Sequence, residues 1–154
     1  MDKKLLKLID TAIKREGEAY DFYMDIHSRI DDDSTKDTIK FIAREEKKHK
    51  EYLVNFREGG YGPEKMRLSD VVYYKIAEYQ EEPDVSGDMD SADVYLVAAH
   101  REARSHQFYS ELAGQCPVGD AKDMLLKMAN EELKHKEKME YLYTNAAYPQ
   151  TSGG

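Results

Sequence analysis

Apolar residues recur every three or four positions along four stretches of this chain, the period of one buried helix face, so the pattern predicts long amphipathic helices rather than strands. The first stretch, about Asp2 to Ile30, carries Leu5, Ile9, Ala12, Glu16, Ala19, Tyr23, Ile26 and Ile30 in steps that alternate four and three without a slip. A second, about Ser34 to Arg57, shows Ile39, Ile42, Glu46, His49, Leu53 and Phe56. The third follows the N-cap candidate Ser91 with Tyr95, Ala98, Glu102, Ser105, Tyr109, Leu112 and Cys116. The fourth starts near Gly119-Asp120 and carries Leu125, Met128, Glu132, His135, Met139 and Leu142.

The connections set the topology. Asp31-Asp32-Asp33 and Cys116-Pro117-Val118-Gly119 are short enough to force antiparallel neighbours, which makes two helical hairpins, residues 2–57 and 91–144. The crossover between them, residues 58–90, opens with Gly59-Gly60-Tyr61-Gly62-Pro63 and is long enough to traverse a bundle, with a short helix expected around Ser69 to Glu81. The expected architecture is an all-α four-helix bundle forming one domain over residues 1–147, followed by a Pro, Ser and Gly-rich tail at 148–154 that should fray.

Composition narrows the function classes. At 154 residues and 17.8 kDa the chain suits a single domain that buries roughly 70% of the surface its unfolded form exposes. Its formal charge is −8, with lysines and acids interleaved, which argues against a nucleic-acid partner. The longest apolar run, Val94 to Ala99, falls far short of the ~20 residues that span a bilayer, and Met1-Asp2-Lys3-Lys4 leads into no signal-type apolar core. A soluble cytoplasmic protein with no membrane partner is expected. Cys116 is the single cysteine, which excludes an internal disulfide framework and an on-chain zinc ribbon.

A stripe that only packed against its neighbours would be apolar throughout, because a buried carboxylate without a partner is strongly unfavourable. All four stripes break that rule at mid-helix, with Glu16, with Glu46 and His49, with Glu102, and with Glu132 and His135. Residues three apart lie about 60° apart around a helix, so the side chains of each Glu-x-x-His pair reach one point. The hairpins also repeat one another: Glu16 and Glu102, Glu46 and Glu132, and His49 and His135 are each 86 positions apart. Ala12 with Ala98, Phe22-Tyr23 with Phe108-Tyr109, and Ala43 with Ala129 keep the same offset. A lone Glu-x-x-His is expected about half a time by chance in this composition, whereas finding Glu, Glu and His again at a chosen offset has a chance of about one in three thousand. No stripe lysine or arginine is available to make the six into buried ion pairs. Four carboxylates and two imidazoles suit two divalent first-row metals instead, with their charge balanced, and oxygen ligands favour iron or manganese. One Glu from each of two helices plus Glu-x-x-His from the other two is the di-iron carboxylate arrangement.

The segments Ala12-Ile13-Lys14-Arg15-Glu16-Gly17-Glu18-Ala19-Tyr20-Asp21-Phe22-Tyr23 and Ala43-Arg44-Glu45-Glu46-Lys47-Lys48-His49, repeated at residues 99–109 and 129–135, resemble the rubrerythrin-like members of the ferritin-like family. The resemblance covers nearly the whole chain except the crossover and tail. It implies a ferritin-like bundle holding two Fe ions, with Mn or Zn as substitutes, bridged by Glu46 and Glu132 and completed by Glu16, Glu102, His49 and His135. It further implies reduction of hydrogen peroxide, an external electron donor such as rubredoxin, and a homodimer. The chain departs from the family pattern at two points. The carboxylate that rubrerythrins carry one turn after the third-helix ligand is Ser105 here, with Ala19 as its repeat mate, and no rubredoxin domain is expected in the chain.

The leading expectation is therefore a di-iron oxidoreductase of the peroxidase type. Ferroxidase or iron-handling activity with oxygen, hydroxylation of an organic substrate, and a non-redox, metal-stabilised helical binding module are the alternatives. Tyr23 and Tyr109, seven residues after a ligand Glu and leaning back toward it, are expected to donate to the carboxylates or to serve as core tyrosines. Tyr20 and His106, four residues after Glu16 and Glu102, are expected to line the oxidant pocket and pass protons, or to sit at the bundle edge. His27 and His100 fall off the stripes and read as solvated, while Cys116 reads as a small buried hydrophobe. Glu45 and Glu131 read as solvated or dimer-contact residues, and the remaining Lys and Glu as surface pairs.

Overall fold

The structure, a computed structural model, describes residues 3–60, 77–85 and 87–148. Among these residues it contains four α-helices and no strand: α1 Lys3–His27, α2 Asp33–Arg57, α3 Ser91–Gly114 and α4 Asp120–Ala147. The helices α1 and α2 pack as one hairpin and α3 and α4 as the other, giving a four-helix bundle. No described helix is long and apolar enough to cross a membrane.

Helix ends follow local hydrogen bonding. Asp32 caps α2, its carboxylate accepting the Thr35 N–H at 2.9 Å and the Thr35 hydroxyl at 2.7 Å. The cap of α3 is Asp90 rather than Ser91: its carboxylate accepts the Asp93 N–H at 2.8 Å, and Ser91 is already helical. A carboxylate there also complements the positive end of the helix dipole, and the Ser91 hydroxyl pairs instead with Thr35 Oγ1 at 2.7 Å, tying the two hairpins together. Gly119 precedes α4 at φ 152°, a conformation that a Cβ would strain, and Asp120 and Asp123 supply the favourable charge to that first turn. The short helix expected at Ser69 to Glu81 falls mostly outside the described residues, of which Ala77 to Gln80 form a turn that leads into irregular chain. Of the tail expected at 148–154, all but Tyr148 lies outside them too.

The stripes bury as their period requires, but the core they build is divided. One apolar cluster gathers Tyr23, Ile26, Ile39, Ile42, Val94 and Met139. The other gathers Ile9, Leu53, Phe56, Leu112, Leu125 and Met128. Along every helix the residues of the first cluster and those of the second lie on opposite sides of the mid-helix Glu, so a polar layer separates two apolar plugs. Burial of these side chains provides the main drive to fold. Ile42, fully buried one turn before Glu46, reports on the first plug. Ile42→Ala should destabilise the protein by ~2–5 kcal/mol, measured by denaturant unfolding.

Candidate metal centre

The structure brings together all six residues singled out by the repeat. Glu16, Glu46, His49 and Glu132 each offer one donor atom within 4.8 Å of the others, and so do Glu46, Glu102, Glu132 and His135. Glu46 and Glu132 belong to both groups. None of the six is more than 7% exposed. The contacts run between hairpins. His49 Nδ1 lies 2.9 Å from Glu132 Oε1, and His135 Nδ1 lies 3.2 Å from Glu46 Oε1. The two imidazoles stack with centroids 5.6 Å apart.

Tyr23 and Tyr109 complete the crossing. The Tyr23 hydroxyl donates to Glu102 Oε1 at 2.9 Å and the Tyr109 hydroxyl to Glu16 Oε1 at 2.6 Å, each reaching out of its own apolar plug to the opposite hairpin. Behind them stand residues that the stripes did not flag. Arg101 lies 4.5 Å from the ring centre of Phe22, which meets Tyr23 edge-on, and Arg15 lies 4.2 Å from Phe108, which meets Tyr109 edge-on. Arg15 and Arg101 are themselves 86 positions apart, so the offset that found the Glu and His residues would have found them. Every such contact has a reciprocal, as at a twofold interface between identical units.

The other predicted residues stand outside the two groups. Tyr20 lines a groove between α1 and α2, and His106 lines a groove between α3 and α4. His106 Nδ1 donates to the Ala129 carbonyl at 2.9 Å, which leaves Nε2 as the nitrogen facing other partners. Ser105 is half-buried and Cys116 is buried in the second plug. His100 is not simply solvated, because its Nε2–H donates to the Gln80 carbonyl at 2.8 Å. Lys136, Glu137 and Glu140 are buried rather than surface pairs, with the Lys136 ammonium 2.9 Å from both Glu140 and Glu78. Glu78 comes from the crossover, a non-local cover that helical periodicity does not register.

Packing four carboxyls together shifts their ionisation. Burial, and next the charge of Glu46, push Glu16 up to about 8. Burial, then the charge on Glu102, raises Glu132 well above the usual carboxyl range, and burial with the charge on Glu46 raises Glu102. Burial acts on Glu46 in the same sense, but hydrogen bonds from Glu16, His135 and His49 outweigh it and hold Glu46 well below that range. Burial opposes the charge on both imidazoles, yet hydrogen bonds to the surrounding carboxylates lift His49 well above its ordinary value and take His135 up to about 10. Glu16 Oε2, Glu102 Oε2 and Glu132 Oε2 are buried without a hydrogen-bond partner. Such oxygens call for a cation or a proton. Four carboxylates and two imidazoles fit two divalent ions in charge and in donor type.

The metal-free protein therefore has a definite pH signature. Glu16 in the folded state keeps its proton to about 8 against an ordinary value of 4.5, so the unfolded chain releases that proton first and stability falls as pH rises through that window. The stabilisation from protonated His135 is complete below its ordinary 6.5 and is lost as pH rises through about 10. Both effects have the same sign. Thermal unfolding of the chelator-treated protein should show a midpoint that falls from about pH 5 to about pH 10, and saturating zinc, which needs deprotonated ligands, should reverse that slope near neutrality. A midpoint rising with pH in the metal-free protein would contradict this electrostatic description.

The rubrerythrin family matches residues 1–57, which span α1, its loop and α2. No curated protein is a significant match to the chain. Among solved structures, a hypothetical protein from Pyrococcus furiosus shares the fold over 96% of this chain and 92% of its own, with a TM-score of 0.67 and 23% identity. The hairpin that carries Glu16, Glu46 and His49 is thus a match to the rubrerythrin family, and the second hairpin repeats those three residues 86 positions later in the same bundle.

Proposed function

We propose that this chain is a di-iron carboxylate oxidoreductase that reduces hydrogen peroxide with electrons from an external carrier such as a rubredoxin. The carrying observation is the buried layer of four carboxylates and two imidazoles, in which three carboxylate oxygens have no hydrogen-bond partner. The rubrerythrin match over the first hairpin supports iron as the metal. Glu16, Glu46, His49 and Glu132 would hold one ion and Glu46, Glu102, Glu132 and His135 the other, with Glu46 and Glu132 common to both groups. When bound, the iron pair supplies the two electrons that cleave an O–O bond.

The chain's own residues do the remaining work. Tyr23 and Tyr109 each hold one carboxylate through Oε1, and the opposite oxygens, Glu102 Oε2 and Glu16 Oε2, are two of the three left without a partner. The two apolar plugs exclude water from the layer, which strengthens the electrostatic interactions inside it. Reduction of one peroxide to two waters consumes two protons. On this reading Tyr20 and His106, which lie one turn beyond Glu16 and Glu102 and line the two grooves, relay them from solvent.

Stopped-flow absorbance of anaerobically iron-loaded protein, mixed separately with hydrogen peroxide and with oxygen, tests the proposal. Peroxide should oxidise the iron faster, and a reductant should restore the starting spectrum with two irons retained per chain. Faster oxidation by oxygen, with more than two irons turned over per chain, would assign a ferroxidase instead. No oxidation by either would leave a metal-stabilised helical module. Glu46→Ala or Glu132→Ala should abolish binding of the ion pair, and retention of two metals per chain in either variant would defeat the site assignment.

A further inference from the structure

The central layer has two unlike sides. Tyr23 and Tyr109 close it on α1 and α3, fully buried, and the two imidazoles close it on α2 and α4. The imidazoles come nearest to the surface: the side chains of His49 and His135 are 9% and 8% exposed, against 3% or less for the four carboxylates. Nδ1 of each ring faces the carboxylates, so the edge that meets solvent is the far one, which carries Nε2. The rings stack nearly parallel, with 12° between their planes, and belong to the one face between α2 and α4.

Beside each histidine runs a strip of residues spaced three and four apart, Phe41, Glu45, Lys48 and Tyr52 on α2 and their repeat mates Lys127, Glu131, Lys134 and Lys138 on α4. Lys48 lies 3.4 Å from Glu45, and Lys134 lies 3.1 Å from Glu131. The Lys138 ammonium sits 4.4 Å from the ring centre of Phe41, joining the two strips across the face. Four lysines stand against two glutamates, a local charge of +2 on a chain whose formal charge is −8. At physiological salt, charges more than ~8 Å away are largely screened, so a partner seated here senses the lysines before it senses the acidic remainder. Phe41 is 45% exposed and Tyr141, farther along α4, is 51% exposed, which supplies the aromatic surface on which protein contacts are built.

We infer that an acidic one-electron carrier protein docks on the α2/α4 face and passes its electrons inward through the outer edges of His49 and His135. The inference rests on the di-iron reading proposed above. Electron transfer weakens steeply with distance, so a donor gains most where the rings of candidate ligands reach the surface. Carboxylates on the carrier meet the lysines of the two strips, and a basic carrier would be repelled by them. The electrons balance. Each peroxide takes two electrons and two protons to give two waters, and two reduced carriers, docking in turn, restore one electron each and leave oxidised by one.

The test uses the full chain and, as probe, a rubredoxin of negative net charge. Binding is read without turnover, from the fluorescence anisotropy of labelled rubredoxin titrated with zinc-loaded chain. The double variant Lys134→Glu/Lys138→Glu, with its helical circular dichroism unchanged, should raise Kd by about tenfold, and Lys134→Gln/Lys138→Gln by a smaller factor. Lys7→Glu/Lys14→Glu changes the net charge equally but on α1, and should move Kd less than about twofold. In iron-loaded chain oxidised by peroxide, the rate of re-reduction by reduced rubredoxin should fall in the same order. Binding and re-reduction indifferent to the α4 reversals, or equally sensitive to those on α1, would overturn the inference and leave the di-iron reading intact. Absence of both binding and re-reduction, in a chain whose iron peroxide does oxidise, would do the same. Iron that peroxide fails to oxidise would overturn the peroxidase reading and this inference with it.

Discussion

Six ionisable side chains share one buried layer at mid-bundle, and the rest of the structure is arranged around the electrostatics of that layer. Four carboxylates removed from water repel one another, and neither apolar plug offers them a counter-charge. Protons on the cluster or cations between the carboxylates must supply it. The same layer joins the hairpins, through His49 to Glu132, His135 to Glu46, Tyr23 to Glu102 and Tyr109 to Glu16. Fold and site are therefore one set of interactions: a change that removes a carboxylate also removes a contact between hairpins. A wholly apolar layer could pack as tightly, but it would have no preference for a cation. The polar layer is better understood as functional specification than as a source of stability.

Reciprocity extends beyond the cluster. Each half contributes a phenylalanine beside a tyrosine whose hydroxyl reaches the other half's glutamate, and an arginine that packs on the other half's phenylalanine. Near-twofold geometry places the two ligand groups in similar first surroundings and leaves their differences to what lies outside. There the hairpins part company. Lys136, Glu140, His100 and Arg104 hold residues 77–82 of the crossover to the second hairpin, and the equivalent positions of the first carry Lys50, Val54, Lys14 and Glu18. A symmetric ligand set thus sits within an asymmetric outer shell.

Much of this was legible in the residues alone. The stripe Leu5 to Ile30 and its three counterparts predict the four helices because burial of one face imposes a period of 3.6 whatever the tertiary context. Glu16, Glu46, His49, Glu102, Glu132 and His135 emerged because they interrupt that period, and the 86-residue offset raised them above coincidence. Arg15 and Arg101 carried the same offset but no interruption, so the stripes passed over them. Asp90 as the cap of α3 was obscured by Ser91 beside it, a residue of equal capping preference whose hydroxyl is engaged by Thr35 on the other hairpin. Lys136, Glu137 and Glu140 resembled ordinary charged helix-surface residues, and only the crossover lying across them shows otherwise.

The sequence by itself determined the helices, their pairing into hairpins and the six residues of the central layer. These depend on local periodicity, on loop length and on the cost of placing a carboxylate at an apolar position, all of which act over a few turns of one helix. Tertiary structure alone decided which oxygens lack partners, which tyrosine serves which glutamate, and which helices hold residues 77–82 of the crossover. Those facts depend on side chains that are 79 to 93 positions apart at the layer, as in Tyr23 with Glu102 and Tyr109 with Glu16, or 63 apart where Ala77 meets Glu140. At such separations the folded arrangement of the bundle, and no period along the chain, brings the groups within hydrogen-bonding distance.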